Sequence, residues 1–281
     1  MPGRPQLRNL RQALRDGEVL ASPVICTVSP LIAELFGHHG FDWLFLDTEH
    51  EPVATDGQVM GELIRACHAV GVAATVRVRV NEPSLIASVL DAGAQGVWVP
   101  KVESAEQARR VVEAARFPPQ GRRGAAPMVR SAGYGAEDWD AYVERVNAET
   151  AIFLVVETRK GIEHAAEIAA VEGVDAVVFG QFDYGVDAGL RQSDFYGGGD
   201  LTSVHPTLAE AAGHVLAACQ AAGVAAGTVA WSREMGVDWV EQGYRVFVYG
   251  TDVTMFGRAA RALREDIRAL EDSVAGRRAA G

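Results

Sequence analysis

Residues 73–100 read AATVRVRVNEPSLIASVLDAGAQGVWVP and hold the arrangement that decides the fold. An apolar, β-rich segment at 73–78 is followed by a helix-like segment at 83–92, by Gly93, and by a second apolar segment at 96–100. A glycine directly after a helix supplies the left-handed turn that returns the chain to the sheet. Short, mostly apolar strands are typical of a parallel sheet covered on both faces. The stretch therefore predicts one β-α-β unit of a parallel sheet.

The same order of strand, helix and glycine recurs along the chain. Eight strands are predicted, at 24–28, 42–47, 73–78, 96–100, 153–157, 176–180, 224–229 and 246–250. Helices are predicted at 56–70, 83–92, 105–115, 164–170, 205–222 and 233–242, with a further helical pattern in residues 1–18. Eight such units in 281 residues favour an α/β fold of the closed (β/α)8 TIM barrel type. An open, doubly wound sheet is less favoured because no G-x-G-x-x-G follows the first strand. No linker divides the chain, so residues 1–281 are expected to form a single domain.

The composition narrows the class of function. A net charge of −11 argues against nucleic acid or an anionic membrane surface as a partner. No run approaches the roughly 18 apolar residues of a membrane span, and the polar N-terminal segment lacks the apolar core of a secretory signal. The three cysteines, Cys26, Cys67 and Cys219, have no metal-binding spacing and are expected to be reduced thiols. We therefore expect a cytoplasmic enzyme that acts on a small molecule.

Side chains that could bind a metal ion or an anion, or transfer a proton, lie at the carboxyl ends of four of the predicted strands. They are Asp47 and His50, Arg77, Glu157, and Asp183. A parallel barrel gathers the carboxyl ends of its strands into one mouth, so these side chains are expected to converge. Glu157 and Asp183 end neighbouring strands, which lie about 5 Å apart. Two carboxylates with water and substrate oxygens in the remaining positions are typical of Mg²⁺ or Mn²⁺.

The Asp47–His50 segment and Arg77 each allow two interpretations. An acid three residues before His50 can hydrogen-bond one ring nitrogen and leave the other as a base, although a structural histidine is the alternative. Arg77 alternates with Val76 and Val78, so it shares a face with Arg79. An arginine inside a barrel must be paired or functional. A structural ion pair with Asp91 or Glu103 is the alternative to a role in binding an anion.

Two connections are unusually long, and we expect them to shape the active face. One runs from Lys101 to Ala151 and the other from Gln181 to about Pro206. Long loops on the active face of a barrel commonly form the substrate site. An ordinary surface excursion is the alternative for each.

At this point the chain resembles a known family. Residues 41–50 (FDWLFLDTEH) resemble the FDW-hydrophobic-hydrophobic-D-x-EH motif of the HpcH/HpaI aldolases, which are metal-dependent pyruvate aldolases. Further matches follow in the same order along the chain: VR at 76–77, NEP at 81–83, LDAGAQG at 90–96, VP at 99–100, AEQAR at 105–109, PPQGRRG at 118–124, VET at 156–158, GQFD at 180–183 and GTDV at 250–253. The likeness covers roughly residues 7–260, and its colinearity is far more specific than any one motif.

The resemblance implies a role for each candidate residue. Glu157 and Asp183 would bind a divalent metal, Mg²⁺ or Mn²⁺ with Co²⁺ or Zn²⁺ as alternatives, and Glu49 would lie near a metal-bound water. Arg77 would stabilise the enolate oxygen of pyruvate, and His50, oriented by Asp47, would help the proton transfers. The partners would be a 2-oxo acid and an aldehyde. The resemblance also implies a homo-oligomer, a hexamer built as a trimer of dimers, with C-terminal helices exchanged between copies.

The chain departs from the family pattern in the half that would hold the aldehyde. Residues 180–185 read GQFDYG where the family has GPADLS, so Phe182 and Tyr184 flank the metal acid. Residues 129–135 read VRSAGYG, which places Arg130 and Tyr134 among the candidate pocket residues. We expect an aldolase that cleaves or forms a 4-hydroxy-2-oxo acid, with an unusual aldehyde. The alternatives are a related decarboxylase, a lyase of thioester or phosphorylated keto acids, and a paralogue that binds keto acids without turnover.

Overall fold

The computed structural model describes residues 6–195 and 204–279, and its centre is a closed barrel of eight parallel strands. The strands are β1 (Leu20–Ile25), β2 (Trp43–Asp47), β3 (Ala73–Arg77), β4 (Gly96–Val99), β5 (Ala151–Val156), β6 (Ala176–Phe179), β7 (Ala225–Ala230) and β8 (Val246–Thr251). Each strand pairs with the next, and β8 pairs with β1 to close the ring. The predicted TIM barrel is confirmed, although β1 begins four residues earlier than predicted.

Helices alternate with the strands and cover the outside of the barrel. In the described residues they are α1 (Leu10–Arg15), α2 (Pro30–His38), α3 (Gln58–Ala69), α4 (Pro83–Asp91), α5 (Ala105–Ala115), α6 (Trp139–Glu149), α7 (Arg159–Glu163), α8 (Ala165–Ala169), α9 (Gln181–Asp187), α10 (Pro206–Ala222), α11 (Arg233–Gln242) and α12 (Asp252–Ala279). The glycine-terminated units form as predicted: Gly223 and Gly243, which follow α10 and α11, both have left-handed backbone. None of these helices is long and apolar enough to cross a membrane.

The interior of the barrel is filled by large aromatic side chains. The rings of Trp43, Trp98 and Phe153 stack in parallel, with the Trp98 and Phe153 centroids 4.4 Å apart. Both indole N–H groups donate to the hydroxyl of Thr75, at 3.0 Å from Trp43 and 2.9 Å from Trp98. Thr75 and Arg77 lie two residues apart on β3, so their side chains point into the same interior. The aromatic layer therefore forms a floor below the polar side chains at the carboxyl end.

The amino-terminal end of the barrel is closed by α1. Leu10 and Leu14 of this helix are buried in the same cluster as the interior aromatic rings. Arg11 donates through Nε to Asp175 at 2.7 Å, and Arg116 lies 3.4 Å from the other oxygen of that carboxylate. Because breaking one partner of a buried ion pair leaves an uncompensated charge, this contact fixes α1 under the barrel.

Most of the first long connection lies away from the active face, which corrects the expectation that it shapes that face. It begins at the carboxyl end of β4, but α5 carries the chain back to the opposite end of the barrel within it. Residues 116–150 therefore lie at the amino-terminal end, where Arg123 pairs with Asp91 at the end of α4. The second long connection contains α9 and continues into residues 196–203, which lie outside the described part of the chain.

Candidate active site

Arg77 and Asp47 lie opposite each other in the register of β2 and β3, at the carboxyl ends of both strands. The guanidinium donates from Nε to Oδ1 at 2.7 Å and from Nη2 to Oδ2 at 2.8 Å. Burial by itself would raise the pKa of Asp47, but the hydrogen bonds and charge of Arg77 outweigh it and hold the pKa below its ordinary value. A bidentate ion pair of this kind fixes the orientation of the arginine.

This pair corrects two expectations. Arg77 was given Asp91 or Glu103 as its alternative partner, but its partners are Asp47 and Glu49. Asp47 was expected to bind the ring of His50, but its carboxylate receives the Arg77 guanidinium and the backbone N–H groups of Glu49 and His50. The reason is geometric: Arg77 faces Asp47 across the strand pair, whereas the tight turn after β2 presents backbone rather than the imidazole.

Glu49 lies between two cations and next to the imidazole of His50. Its Oε2 is 3.3 Å from Nη1 of Arg77 and 3.8 Å from Nε2 of His50, and its Oε1 is 3.4 Å from Nζ of Lys101. Oε2 is buried and accepts no hydrogen bond from the described residues. The side chain of His50 is 56% exposed, so its imidazole can reach a molecule in the mouth.

Glu157 follows β5 and is almost fully buried, at 3% exposure. One carboxylate oxygen accepts the backbone N–H of Lys101 at 2.8 Å. Burial, followed by the charges of Asp183 and Glu49, raises the pKa of Glu157 to about 7. Gly180 follows β6 and leaves room for the carboxylate, because a Cβ there would lie 2.6 Å from Oε2 of Glu157.

Asp183 lies in the first turn of α9, directly after β6, and is partly buried. Its charge acts on both Glu157 and Lys101, so it shares the mouth with them. The structure thus brings together Asp47, Glu49, His50, Arg77, Glu157 and Asp183, all from the carboxyl ends of β2, β3, β5 and β6.

The chemistry of these donors fits a hard divalent cation. Within the described residues no group of three or more His, Cys, Asp or Glu side chains is arranged to hold a metal by itself. Mg²⁺ and Mn²⁺ sites in enzymes commonly use one or two carboxylates and leave the other positions to water and substrate. Oε2 of Glu49 accepts no hydrogen bond from the described part of the chain, and burial with the charges of Asp183 and Glu49 raises the pKa of Glu157, which suits a site that binds a cation. Glu157 and Asp183 are the residues that could hold such an ion.

Lys101 is a site residue that the sequence did not reveal. It follows β4 and has a left-handed backbone, with φ of 54°. Its Nζ contacts Glu49 while its backbone N–H binds Glu157. Burial would lower the pKa of Lys101, but the charges of Glu49, Asp183 and Glu157 outweigh it and raise the pKa above its ordinary value. The Val-Pro-Lys sequence at the end of a barrel strand was the available signal.

Two candidate pocket residues lie at the wrong end of the barrel. Arg130 donates to the carbonyl of Ala92, directly after α4, and to Nδ1 of His68, near the end of α3. Helices of a β-α barrel end near the amino-terminal face, so Arg130 is remote from the mouth. Tyr134 belongs to the same 3-10 segment, Arg130–Gly135, and is 63% exposed. Both were expected near the substrate because the whole connection from Lys101 to Ala151 was assigned to the active face, whereas α5 returns the chain to the opposite end.

The two aromatic residues beside Asp183 have different environments. Phe182 packs edge to face against Trp231, which follows β7, with ring centroids 5.7 Å apart. Both residues therefore lie at the carboxyl end, on the side of Asp183 away from Glu157. Tyr184 packs against Phe179, which belongs to the outer core between strands and helices. Phe182 borders this outer core as well, where it also packs against the buried Phe195.

Comparison with known proteins agrees with this geometry. The HpcH/HpaI aldolase/citrate lyase family matches residues 25–259. A 2-dehydro-3,6-dideoxy-6-sulfogluconate aldolase of Pseudomonas putida is 34% identical, over 85% of this chain and 89% of that protein. A hydroxypyruvate/pyruvate aldolase of Deinococcus radiodurans is 36% identical, over 92% of this chain and 89% of that protein.

A solved structure shows the same fold over nearly the whole chain. It is a HpcH/HpaI aldolase/citrate lyase family protein from Burkholderia cenocepacia J2315, with a TM-score of 0.82 and 34% identity. The superposition covers 92% of this chain and 98% of that one. The chain therefore belongs to the HpcH/HpaI aldolase/citrate lyase family and is a carbon–carbon lyase of the aldolase type.

Proposed function

We propose that the protein is a divalent-metal-dependent aldolase that forms and cleaves 4-hydroxy-2-oxo acids through the enolate of pyruvate or a close analogue. The observation that carries the proposal is the meeting of Glu157, Asp183 and Glu49 with Arg77 in one barrel mouth. Curated relatives named as hydroxypyruvate/pyruvate aldolase and 4-hydroxy-2-oxovalerate aldolase support this choice of substrate. We propose Mg²⁺ or Mn²⁺, held by Glu157 and Asp183, because the donors are oxygen atoms.

The reaction requires side chains that stabilise an enolate and side chains that transfer protons. Cleavage removes the proton of the C4 hydroxyl, breaks the C3–C4 bond, releases the aldehyde and leaves the bonding electrons as an enolate, which is then protonated at C3. A bound divalent ion supplies positive charge that stabilises this enolate. Because Asp47 occupies Nε and Nη2 of Arg77, the Nη1 group of the guanidinium faces Glu49 and can donate to the enolate oxygen. Such a preoriented donor typically contributes roughly 10²–10³-fold to the rate.

Proton transfer falls to Glu49 and His50 in this proposal. Nε2 of His50 lies 3.8 Å from a buried oxygen of Glu49, and the imidazole is exposed to the mouth. An imidazole beside a carboxylate can accept a proton and return it. Asp47 holds Arg77 rather than the imidazole, so its role is to position the arginine.

The aldehyde is proposed to lie against Phe182 and Trp231. Both rings lie at the carboxyl end of the barrel next to Asp183. A nucleotide-bearing thioester substrate would need a cationic site for its phosphates, and the adjacent Arg122 and Arg123 are the candidates that the sequence offers. Arg123 is buried and paired with Asp91 at the opposite end of the barrel from the acids. The structure therefore gives no reason to favour a nucleotide-bearing thioester substrate.

We also propose that the protein is a homo-oligomer, built as a trimer of dimers and located in the cytoplasm. Helix α12 presents four exposed apolar side chains on one face, at 39–68% exposure: Phe256, Leu263, Ile267 and Leu270. An apolar stripe at this spacing normally packs against another helix. The three cysteines are free thiols, which is in keeping with a reducing compartment.

Binding of Mn²⁺ to variants of the two acids tests the central proposal. Glu157→Gln and Asp183→Asn are each expected to abolish Mn²⁺ binding measured by calorimetry and to abolish exchange of the C3 protons of pyruvate in deuterated water. Asp187→Asn is the matched control, because Asp187 lies on the same helix but pairs with Arg159. Unchanged Mn²⁺ binding by both acid variants would show that the metal site lies elsewhere.

A further inference from the structure

Lys101 holds an unusual place among the charged side chains of the mouth. It is one of two lysines in the chain. A left-handed backbone at a residue other than glycine is strained, and such strain persists where the surroundings require the conformation. Here the conformation sends the N–H to Glu157 and the ammonium to within 3.4 Å of Glu49. The side chain is 56% exposed, so it also borders the space that a substrate would occupy.

The charged groups of the mouth can be counted. Six side chains act on one another, and we call them the charge cluster: the acids Asp47, Glu49, Glu157 and Asp183, and the cations Arg77 and Lys101. When all four acids are ionised, the two cations leave two uncompensated negative charges, which equal the charge of one divalent ion. With that ion bound, the cluster is neutral towards an incoming keto acid anion. Without Lys101 it would carry one negative charge.

We propose that Lys101 is a charge-balancing residue, which weakens the hold of the acids on the divalent ion and strengthens the binding of the anionic keto acid. This inference rests on the proposed function. The two effects have the same electrostatic origin, since an ammonium repels a metal cation and attracts a carboxylate. As a result, the divalent ion can dissociate from the site more readily, and the keto acid anion binds there more tightly.

The two effects give a test that a purely structural role cannot imitate. Removing the ammonium while keeping the backbone should tighten metal binding and loosen anion binding. If Lys101 only shaped the turn after β4, its loss would weaken both. An electrostatic origin also predicts that both changes shrink with salt, because the screening length falls from about 10 Å at 0.1 M to about 3 Å at 1 M.

The variants are chosen to hold the backbone constant. Lys101→Met and Lys101→Gln remove the charge but keep an unbranched side chain, so the left-handed backbone is no less favourable than with lysine. Lys101→Arg retains the charge. Lys160→Met is the matched control, because the chain's other lysine pairs with Glu103 at 3.4 Å.

The measurements are Mn²⁺ affinity by electron paramagnetic resonance and binding of oxalate, an inert mimic of the pyruvate enolate, to the Mn²⁺-loaded protein by calorimetry. For Lys101→Met and Lys101→Gln, Mn²⁺ should bind roughly three- to tenfold more tightly and oxalate roughly three- to tenfold more weakly at low salt. Both differences should fall below about twofold at 1 M KCl. Lys101→Arg and Lys160→Met should stay within about twofold of the parent in both assays.

Three outcomes would each overturn the assignment of Lys101. They are changes of the same sign in both affinities, no change in either affinity, and differences that persist in 1 M KCl. If the parent protein binds Mn²⁺ and the Lys101 variants behave in one of these ways, the role of Lys101 is wrong but the proposed aldolase function is unaffected. A parent protein that binds no Mn²⁺ overturns both proposals.

Discussion

Arg77 reaches Asp47 through two hydrogen bonds of 2.7 and 2.8 Å, across the pair of strands in which these residues are direct neighbours. The register of β2 and β3 therefore sets the direction of the guanidinium before any ligand is present. Below it lies the ring of Phe45, 5.5 Å from the guanidinium carbon. An arginine held from one side and supported from beneath has little freedom left to lose when a substrate binds.

Replacing Asp47 with asparagine tests this arrangement. The variant keeps the shape but leaves Glu49 as the nearest remaining counter-charge of the guanidinium, so we expect a loss of about 3 kcal/mol in the free energy of unfolding. We also expect turnover to fall roughly 10- to 100-fold, as for other residues that orient a catalytic group. Urea denaturation and steady-state kinetics measure the two effects. Glu18→Gln, which removes an exposed ion pair with Arg8, should cost at most about 1 kcal/mol.

The pKa of Glu157 predicts how the metal-free protein responds to pH. Its ordinary value is 4.5, and burial with the charges of Asp183 and Glu49 raises it to about 7. A carboxyl whose pKa is raised on folding favours the folded state below its ordinary pKa, and that contribution is lost as the pH rises through about 7. Glu157→Gln should therefore stabilise the metal-free protein by roughly 3 kcal/mol at about pH 8 and by little at about pH 4. Urea denaturation in a chelating buffer gives both values, and an equal gain at the two pH values would contradict the assigned cause.

When Mn²⁺ is added, Glu157→Gln should be less stable to unfolding than the parent protein, the opposite of its effect without metal. Mn²⁺ that binds only the folded state stabilises it by mass action. The parent protein gains this stabilisation, whereas Glu157→Gln, which is expected to bind no Mn²⁺, should gain none. A metal effect of equal size in both proteins would place the ion away from Glu157.

Helix α12 predicts how the oligomer can be disrupted. Leu263 and Ile267 lie on the apolar face of the helix, at 60% and 39% exposure. Leu263→Glu with Ile267→Glu should lower the molar mass measured by light scattering after gel filtration, because charges are excluded from a packed helix interface. Replacing Arg264 with glutamine, on another face of the helix, should leave the mass unchanged. A parent protein that is already monomeric would contradict the proposed assembly.

The barrel itself could be predicted from the sequence because its evidence is local and repeated. Apolar strands of four to six residues recur eight times, a left-handed glycine precedes seven of them, and each repeat supports the others. The expectation that side chains at strand ends meet in one mouth followed from this topology alone.

The contacts between side chains could not be predicted in the same way. Arg77 had several acids within reach of a plausible ion pair, and only the register of β2 and β3 selects Asp47. Lys101 showed no activating neighbour in the sequence, because Glu49 and Glu157 approach it from other strands. Arg130 and Tyr134 were placed at the mouth because the connection was treated as one loop, whereas α5 divides it between the two ends of the barrel.

The stacked rings of Trp43, Trp98 and Phe153, with α1 closing the barrel beneath them, have a kinetic consequence. The acids lie above this floor, so both reactants arrive, and the product departs, along one route. A keto acid bound at the bottom of such a well is covered by the aldehyde that follows it. The enzyme should accordingly bind its substrates in a compulsory order, keto acid first, with each aldehyde that arrives early acting as an inhibitor.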